Sequence, residues 1–204
     1  MKDMGKEAAL PRPELTMPEA EAARLRAAYA AASVILEYGS GGSTLVAAEM
    51  PGKRVFSVES DRAWARRMRR WFAGNPAAEG TRVDLIWADI GRTKEWGKPV
   101  DKSAWRRFAD YPLGVWSRDG FQAPDVVLVD GRFRVGCAIA TALHVTRPTV
   151  LLFDDYKGRK RLWDVERFIG APVAMHGRMA EFNVTPRAAG PGELLEIIKY
   201  MQRP

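Results

Sequence analysis

The stretch "VILEYGSGGSTLVAAE", Val34 to Glu49, decides how the rest of the chain is read. Val34–Tyr38 has the apolar, β-branched character of a buried strand. The turn Gly39-Ser40-Gly41-Gly42 follows, and Thr44–Glu49 starts a short helix. Glycine allows close backbone approach and dihedrals that a Cβ forbids, so this is a strand feeding a tight loop and then a helix. Glu37 puts a carboxylate just ahead of the first glycine. That placement asks what the carboxylate would hold.

Outward from this stretch the same alternation continues. Pro18–Ala32 is a helix of strong helix formers with proline at its first position. A second strand, Arg54–Val58, leads into the arginine-rich helix "RAWARRMRRW", Arg62–Trp71. Trp64, Met68 and Trp71 fall at i, i+4 and i+7 there, which gives a core stripe opposite a solvated basic face or, as the rival reading, a surface for phosphates or acids. Strands follow at Val83–Trp87, in "PDVVLVDG" and in "PTVLLFDDY", with helices over Val135–Val145 and Arg161–Ile169. "APVAMHG" and "AEFNV" form a hairpin around Arg178, and "GELLEIIKYM" leans to helix. Strands alternating with helices predict a Rossmann-like, doubly wound α/β fold with a mostly parallel sheet. Residues 1–17 read as a loose, flexible N-terminal arm and 18–204 as one domain. Within it, 90–124 breaks the alternation and carries Trp96, Trp105, Tyr111 and Trp116, which reads as an aromatic-rich lid insertion.

Composition narrows the class. With 204 residues, 47% of them hydrophobic, the chain can bury a substantial core. No apolar run approaches the roughly 20 residues of a membrane span, and the N-terminus lacks the apolar stretch of a signal peptide. The single cysteine, Cys137, fits a reducing cytoplasm and excludes thiolate metal sites; it reads as a small core residue. Two histidines, His144 and His176, leave little for zinc, although His176 is a conceivable general base. The net charge of +7 raises nucleic acid as a partner.

Against that positive total, every strand end is acidic: Glu37, Glu59 with Asp61 beyond it, Asp89, Asp130, and Asp154 with Asp155. Ligands of open α/β sheets bind beyond those ends. A pyrophosphate site would ask for G-x-G-x-x-G, but here Thr44 holds the third position and Glu37 would repel the phosphates. A carboxylate at that point instead attracts an ammonium. Glu59, 18 residues beyond Gly41, suits the two hydroxyls of a ribose. An adenosyl ligand with a cationic amino-acid tail meets both demands, with Glu37 facing its positive end. Trp87 is a possible wall for the same ligand.

On these residues the chain resembles the class I S-adenosylmethionine-dependent methyltransferases. "LEYGSGGST" is similar to the first motif of that superfamily, "VFSVESD" to the second, and "IWADIG" to the segment whose Asp89 meets the adenine amino group and whose Ile90 meets its ring. The resemblance implies a seven-stranded sheet in the order 3-2-1-4-5-7-6, with strand seven antiparallel, and S-adenosylmethionine as cofactor. It implies a cofactor set of Glu37, Gly39, Ser40, Gly41, Glu59, Ser60, Asp89, Ile90 and Asp130. "VLVDGRFRVGCAIATAL" followed by "VLLFDDY" also resembles macrocin-type sugar O-methyltransferases, in which Asp130, Asp154 and Asp155 would hold magnesium and act in catalysis. Arg132, Arg134 and Lys157 could neutralise those acids themselves, and an arginine network without metal is the preferred reading. The expected activity is methyl transfer to a small, hydroxyl-bearing acceptor. "VDGRF" replaces the "NPPY"-type tetrad, which disfavours amino groups of bases. A nucleic-acid methyltransferase, a non-catalytic S-adenosylmethionine-binding protein and a nicotinamide-dependent oxidoreductase are the rivals.

Overall fold

The computed structural model of the protein describes residues 11–204. The seven strands of its main sheet are β1 (Val34–Tyr38), β2 (Arg54–Glu59), β3 (Arg82–Trp87), β4 (Val126–Val129), β5 (Thr149–Phe153), β6 (Ala174–His176) and β7 (Met179–Val184). They lie side by side in the order 3-2-1-4-5-7-6. The first five are mutually parallel, whereas β7 runs antiparallel to β5 and forms a hairpin with β6. The expected order and the antiparallel seventh strand are both present. β4, "VVLV", is buried along its whole length, as a central strand covered on both faces must be.

Seven α-helices complete the described residues: α1 (Glu19–Ala31), α2 (Gly42–Ala48), α3 (Arg62–Gly74), α4 (Asp110–Leu113), α5 (Arg134–His144), α6 (Glu166–Ile169) and α7 (Leu194–Met201). None is long and apolar enough to cross a membrane. Alternation along β1 divides the core. Ile35 packs with Leu25 and Tyr29 of α1 and Val46 of α2, while Leu36 and Tyr38 join the larger cluster under α5, α6 and α7. In α3, Ala65 and Met68 are buried and the arginines are exposed, which matches the solvated basic face; Asp61 caps the helix by accepting from the Trp64 N–H at 2.8 Å. The segment read as helix over Arg161–Ile169 is a 3₁₀ turn, Lys160–Val165, followed by the single turn α6.

Two expectations are corrected by packing. The first ten residues of the predicted arm lie outside the described residues, but 11–17 are docked rather than loose. Pro13 is buried, Leu15 and Met17 pack against the core, and Arg12 pairs with Glu49 at 2.6 Å. This segment passes so close to α2 that a Cβ on Gly42 would stand 2.2 Å from the Leu15 nitrogen. Gly42→Ala should therefore cost about 1–3 kcal/mol, the range for overpacking, read as a lower denaturation midpoint. A midpoint unchanged from the parent protein would mean that 11–17 are not docked in solution.

The second correction concerns 90–124. Phe108, Tyr111 and Val115 are 1–2% exposed and belong to the main core, so this part takes the place of a covering helix on the face of β1 and β2. Tyr38 donates to the Pro112 carbonyl at 2.7 Å and accepts from the Trp116 indole at 2.8 Å, which ties the segment to β1. The small antiparallel hairpin over 93–99 lies outside that core, with Trp96 at its tip 81% exposed.

Candidate active site

The parallel strands put their acidic ends along one edge of the sheet, but the side chains there differ in what they face. Glu37 was expected to look toward a positive ligand. Its position in β1 instead directs it to the α1 side, where it is fully buried. One oxygen accepts from the Tyr29 hydroxyl at 2.7 Å and the other from the Thr44 hydroxyl at 2.7 Å. The same Thr44 oxygen accepts from the Gly41 N–H at 3.0 Å. Thr44, the departure from the third glycine, thus ties the buried carboxylate to the loop. Burial pushes the Glu37 carboxyl up, opposed by the hydrogen bonds from Thr44 and Tyr29.

The loop is held from three further sides. Ser40 Oγ lies 2.7 Å from Ser57 Oγ, and the Trp64 indole donates to the Ser40 carbonyl at 2.8 Å. Gly39 has φ +106, and a Cβ there would meet the Gly131 nitrogen at 2.8 Å, so the turns after β1 and β4 touch backbone to backbone. The Tyr111 hydroxyl stands beside them, donating to the Val58 carbonyl at 3.4 Å and accepting from the Arg132 N–H at 3.4 Å.

Glu59 ends β2 with its carboxylate at the loop. One oxygen accepts from the Asp61 N–H at 2.7 Å, while the other receives only the Ser40 N–H at 3.3 Å. A carboxylate offers about four acceptor positions, so that second oxygen has capacity left for a hydroxyl. Burial raises its pKa against the Asp61, Ser40 and Ser60 N–H groups. The 93–99 hairpin rests on this corner, with Ser60 Oγ donating to the Gly97 carbonyl at 3.0 Å. Asp89 is half-exposed, accepts from the Gly91 N–H at 3.0 Å, and is paired with Arg107. Ile90 was expected to meet a ring. Its side chain is instead 1% exposed in the main core, because the chain turns at Gly91 and sends it inward. Trp87 donates to the Ser60 carbonyl at 3.1 Å and is covered by the Arg62 guanidinium, 5.0 Å from its ring.

Beyond β4 and β5, Asp130, Asp154 and Asp155 bring ligand oxygens within 4.8 Å of one another. Three guanidinium groups stand among them. Arg134 reaches Asp130 at 3.2 Å and Asp155 at 3.3 Å, and caps the Asp130 and Gly131 carbonyls at 2.6 and 3.0 Å. Arg178, the hairpin apex, bonds both Asp154 oxygens at 3.1 and 3.3 Å and Asp155 at 3.0 Å. Arg159 adds a 2.7 Å pair to Asp155. Three carboxylates thus face three guanidiniums. Asp154 is 2% exposed at its side chain, whereas Asp130 is 38% exposed. Burial pushes the Asp130 carboxyl up to about 7; Arg134 opposes the rise, and Asp154 and Asp155 add to it.

Three non-glycine residues have positive φ among those described: Trp96, Phe133 and Asp155. All three lie at this edge, one over Glu59 and two flanking the acid–arginine cluster. Such conformations cost about 1–3 kcal/mol each and persist where surrounding packing over-determines them.

The chain can now be set beside known proteins. It is 62% identical to a methyltransferase-like protein from Silicibacter pomeroyi DSS-3 of known crystal structure, over 95% of this chain and 99% of that one, with a TM-score of 0.92. It belongs to the class I S-adenosylmethionine-dependent methyltransferases. Two other crystal structures share the fold at 17% identity. One is the O-methyltransferase TomG from Streptomyces achromogenes in complex with SAM, with 86% of this chain and 83% of that one covered and a TM-score of 0.50. The other is a cofactor-bound protein from MTB, with 87% and 84% covered and a TM-score of 0.51. No protein-family model and no curated protein matches the chain.

Several groups that shape this methyltransferase's site carry no motif. Tyr29, Trp64, Tyr111 and Arg178 reach it from other elements, and Arg159 from four residues beyond Asp155. Tyr29 had a signal, as the one aromatic side chain of α1. In the methyltransferase His176 lies 2.8 Å from Glu181, itself held by Arg24 through two bonds, so this histidine belongs to the sheet edge. Cys137 is fully buried on α5 and burial raises its thiol well above the usual range, as expected of a core residue.

Proposed function

We propose that this methyltransferase moves a methyl group from S-adenosylmethionine to the hydroxyl of a small polar acceptor, with Asp130 taking the hydroxyl proton. The observation that carries this reading is the contrast within the acid cluster. Asp130 is the most exposed of the three, 38% at its side chain against 18% for Asp155 and 2% for Asp154, and its carboxyl is pushed up to about 7, the range in which a general base works best. Asp154 and Asp155 are saturated by Arg178, Arg159 and Arg134 and would hold those guanidiniums and the β4–β5 edge in place. Because the three acids are already matched by three arginines, a divalent cation there would add uncompensated positive charge; the residues suit the metal-free reading.

The donor set fits an adenosyl ligand. Glu59, with an unused oxygen position, would accept the ribose hydroxyls. Ser40 and Ser60 flank it, and Gly39 and Gly41 allow the loop backbone to approach closely. Asp89 would share its outer face between Arg107 and an adenine amino group. Glu37 would act at one remove, fixing the loop through Thr44. Bound S-adenosylmethionine supplies an electrophilic methyl whose departure leaves a neutral thioether. What remains for the chain is to align the acceptor oxygen, exclude water and receive one proton. The 93–99 hairpin, rather than the whole of 90–124, is the part suited to cover the ribose.

Calorimetric titration with S-adenosylhomocysteine tests this. The intact protein should bind in the micromolar range. Glu59→Ala should bind about 1.5–3 kcal/mol more weakly, the scale of hydrogen bonds to a charged group, while keeping its melting temperature. Unchanged affinity in the variant removes Glu59 from the site, and no binding to the parent protein overturns the reading.

A further inference from the structure

Where the turn after β4, the 3₁₀ turn over 160–165 and the end of α7 meet, a groove opens beside the acid cluster. Arg132, Arg134, Arg159, Arg161 and Arg203 line it, with no acidic residue among its walls. Two of these guanidiniums are spoken for, since Arg134 and Arg159 neutralise Asp130 and Asp155. The other three are in surplus. Arg203 comes no nearer than 4.0 Å to Asp164. Arg161 is exposed and has no ion pair or hydrogen bond among the described residues. Arg132 has its Nε buried without any partner. Its pKa is lowered, first by burial and then by the adjacent Arg134.

Like charges gathered in a concave site repel one another, and a buried unpaired N–H of a cation costs free energy that a bound anion would recover. Guanidinium forks match the paired oxygens of carboxylate and phosphate. The first residues of the 11-residue helix α5, Arg134 and Val135, line the same wall, and a helix N-terminus adds positive potential. A polynucleotide would need such charge drawn out along a surface; here it converges on one groove. We infer that this groove is the subsite for an anionic group, phosphate or carboxylate, carried by the acceptor. The inference rests on Asp130 as the base, because the residues after it, Gly131 and Arg132, form the groove's near wall and so set the anion beside the reacting hydroxyl.

The experiment titrates the intact protein at constant ionic strength with inorganic phosphate, with acetate and with a short single-stranded RNA, following calorimetry and thermal denaturation. Arg161→Ala and Arg203→Ala alter exposed side chains, and S-adenosylhomocysteine titrations on each variant verify the rest of the site. Phosphate or acetate should bind and protect the parent protein. Each variant should weaken that binding by about 10–15-fold, the lower end for hydrogen bonds to charged groups, with unchanged S-adenosylhomocysteine affinity. Stronger phosphate binding assigns a phosphorylated acceptor, and stronger acetate binding a carboxylated one. The inference is overturned if neither anion binds beyond an equal concentration of chloride, if the variants bind like the parent, or if only the RNA binds. Should S-adenosylhomocysteine fail to bind the parent protein, the functional reading falls separately, and the anion titrations still decide the groove.

Discussion

Replacing Asp130 by asparagine should lower kcat by about 10²–10⁴-fold, the contribution of a positioned general base, and leave S-adenosylhomocysteine binding nearly intact. Asparagine keeps the size and hydrogen-bonding shape but cannot take the proton. The pH profile supplies the sharper signature. With a carboxyl pushed up to about 7, kcat/KM of the parent enzyme should climb roughly tenfold per pH unit below that value and level off above it. In Asp130→Asn that limb should vanish. Stability moves the other way. A carboxyl whose pKa is raised on folding favours the folded state below its unfolded value, and that contribution is lost as pH rises through about 7. Above pH 7 the asparagine variant should therefore be at least as stable as the parent. A variant that is active and keeps the acidic limb would remove Asp130 from proton transfer.

Arg134→Met should cost about 3–5 kcal/mol of stability, the range for removing one partner from a buried ionic cluster. The side chain is 8% exposed, and it serves the Asp130, Gly131 and Asp154 carbonyls as well as the Asp130 and Asp155 carboxylates. Methionine fills similar space but satisfies none of them. At about 2–4 °C per kcal/mol for a chain of this size, the melting temperature should fall by about 6–20 °C. A loss below 1 kcal/mol in denaturant titration would mean that solvent already screens the cluster and that the arginines do not hold it together.

How much of this was legible before the structure depended on the range of the interactions. The strand positions and the acidic strand ends follow from local pattern, where neighbouring residues act together, and the 3-2-1-4-5-7-6 order from the family resemblance that motifs such as "LEYGSGGST" carry. Glu37 was found, but its direction was misjudged; alternation along β1, read strictly, already points it to the side of Ile35. Ile90 lies beyond the end of β3, where alternation gives no guide, and the turn at Gly91 sends it into the core. The arginine network was anticipated in kind, and Arg134 is in it, but Arg132 is not; Arg159 stands only four residues beyond Asp155, whereas Arg178 arrives from the β6–β7 hairpin. No sequence spacing encodes that last, long-range pairing. The 90–124 segment reads as a lid because a connection this long that breaks the alternation and carries large aromatics is usually functional, although Phe108, Tyr111 and Val115 fill a core that no regular helix covers.

Helix α1 reaches both halves of the site. Tyr29 holds Glu37 under the glycine loop, and Glu21, near the helix start, accepts from the Arg178 N–H at 2.6 Å beneath the hairpin whose arginine grips Asp154 and Asp155. Gly177 leaves just enough room for that carboxylate, since a Cβ there would stand 2.2 Å from it. One rigid rod thus braces the loop at the donor end and the cluster at the acceptor end. The two halves of the cleft are mechanically a single part. Any fluctuation that lifts α1 would loosen both together, and on the roles proposed above the spacing between methyl donor and proton acceptor would be set by the length of a helix that need touch neither.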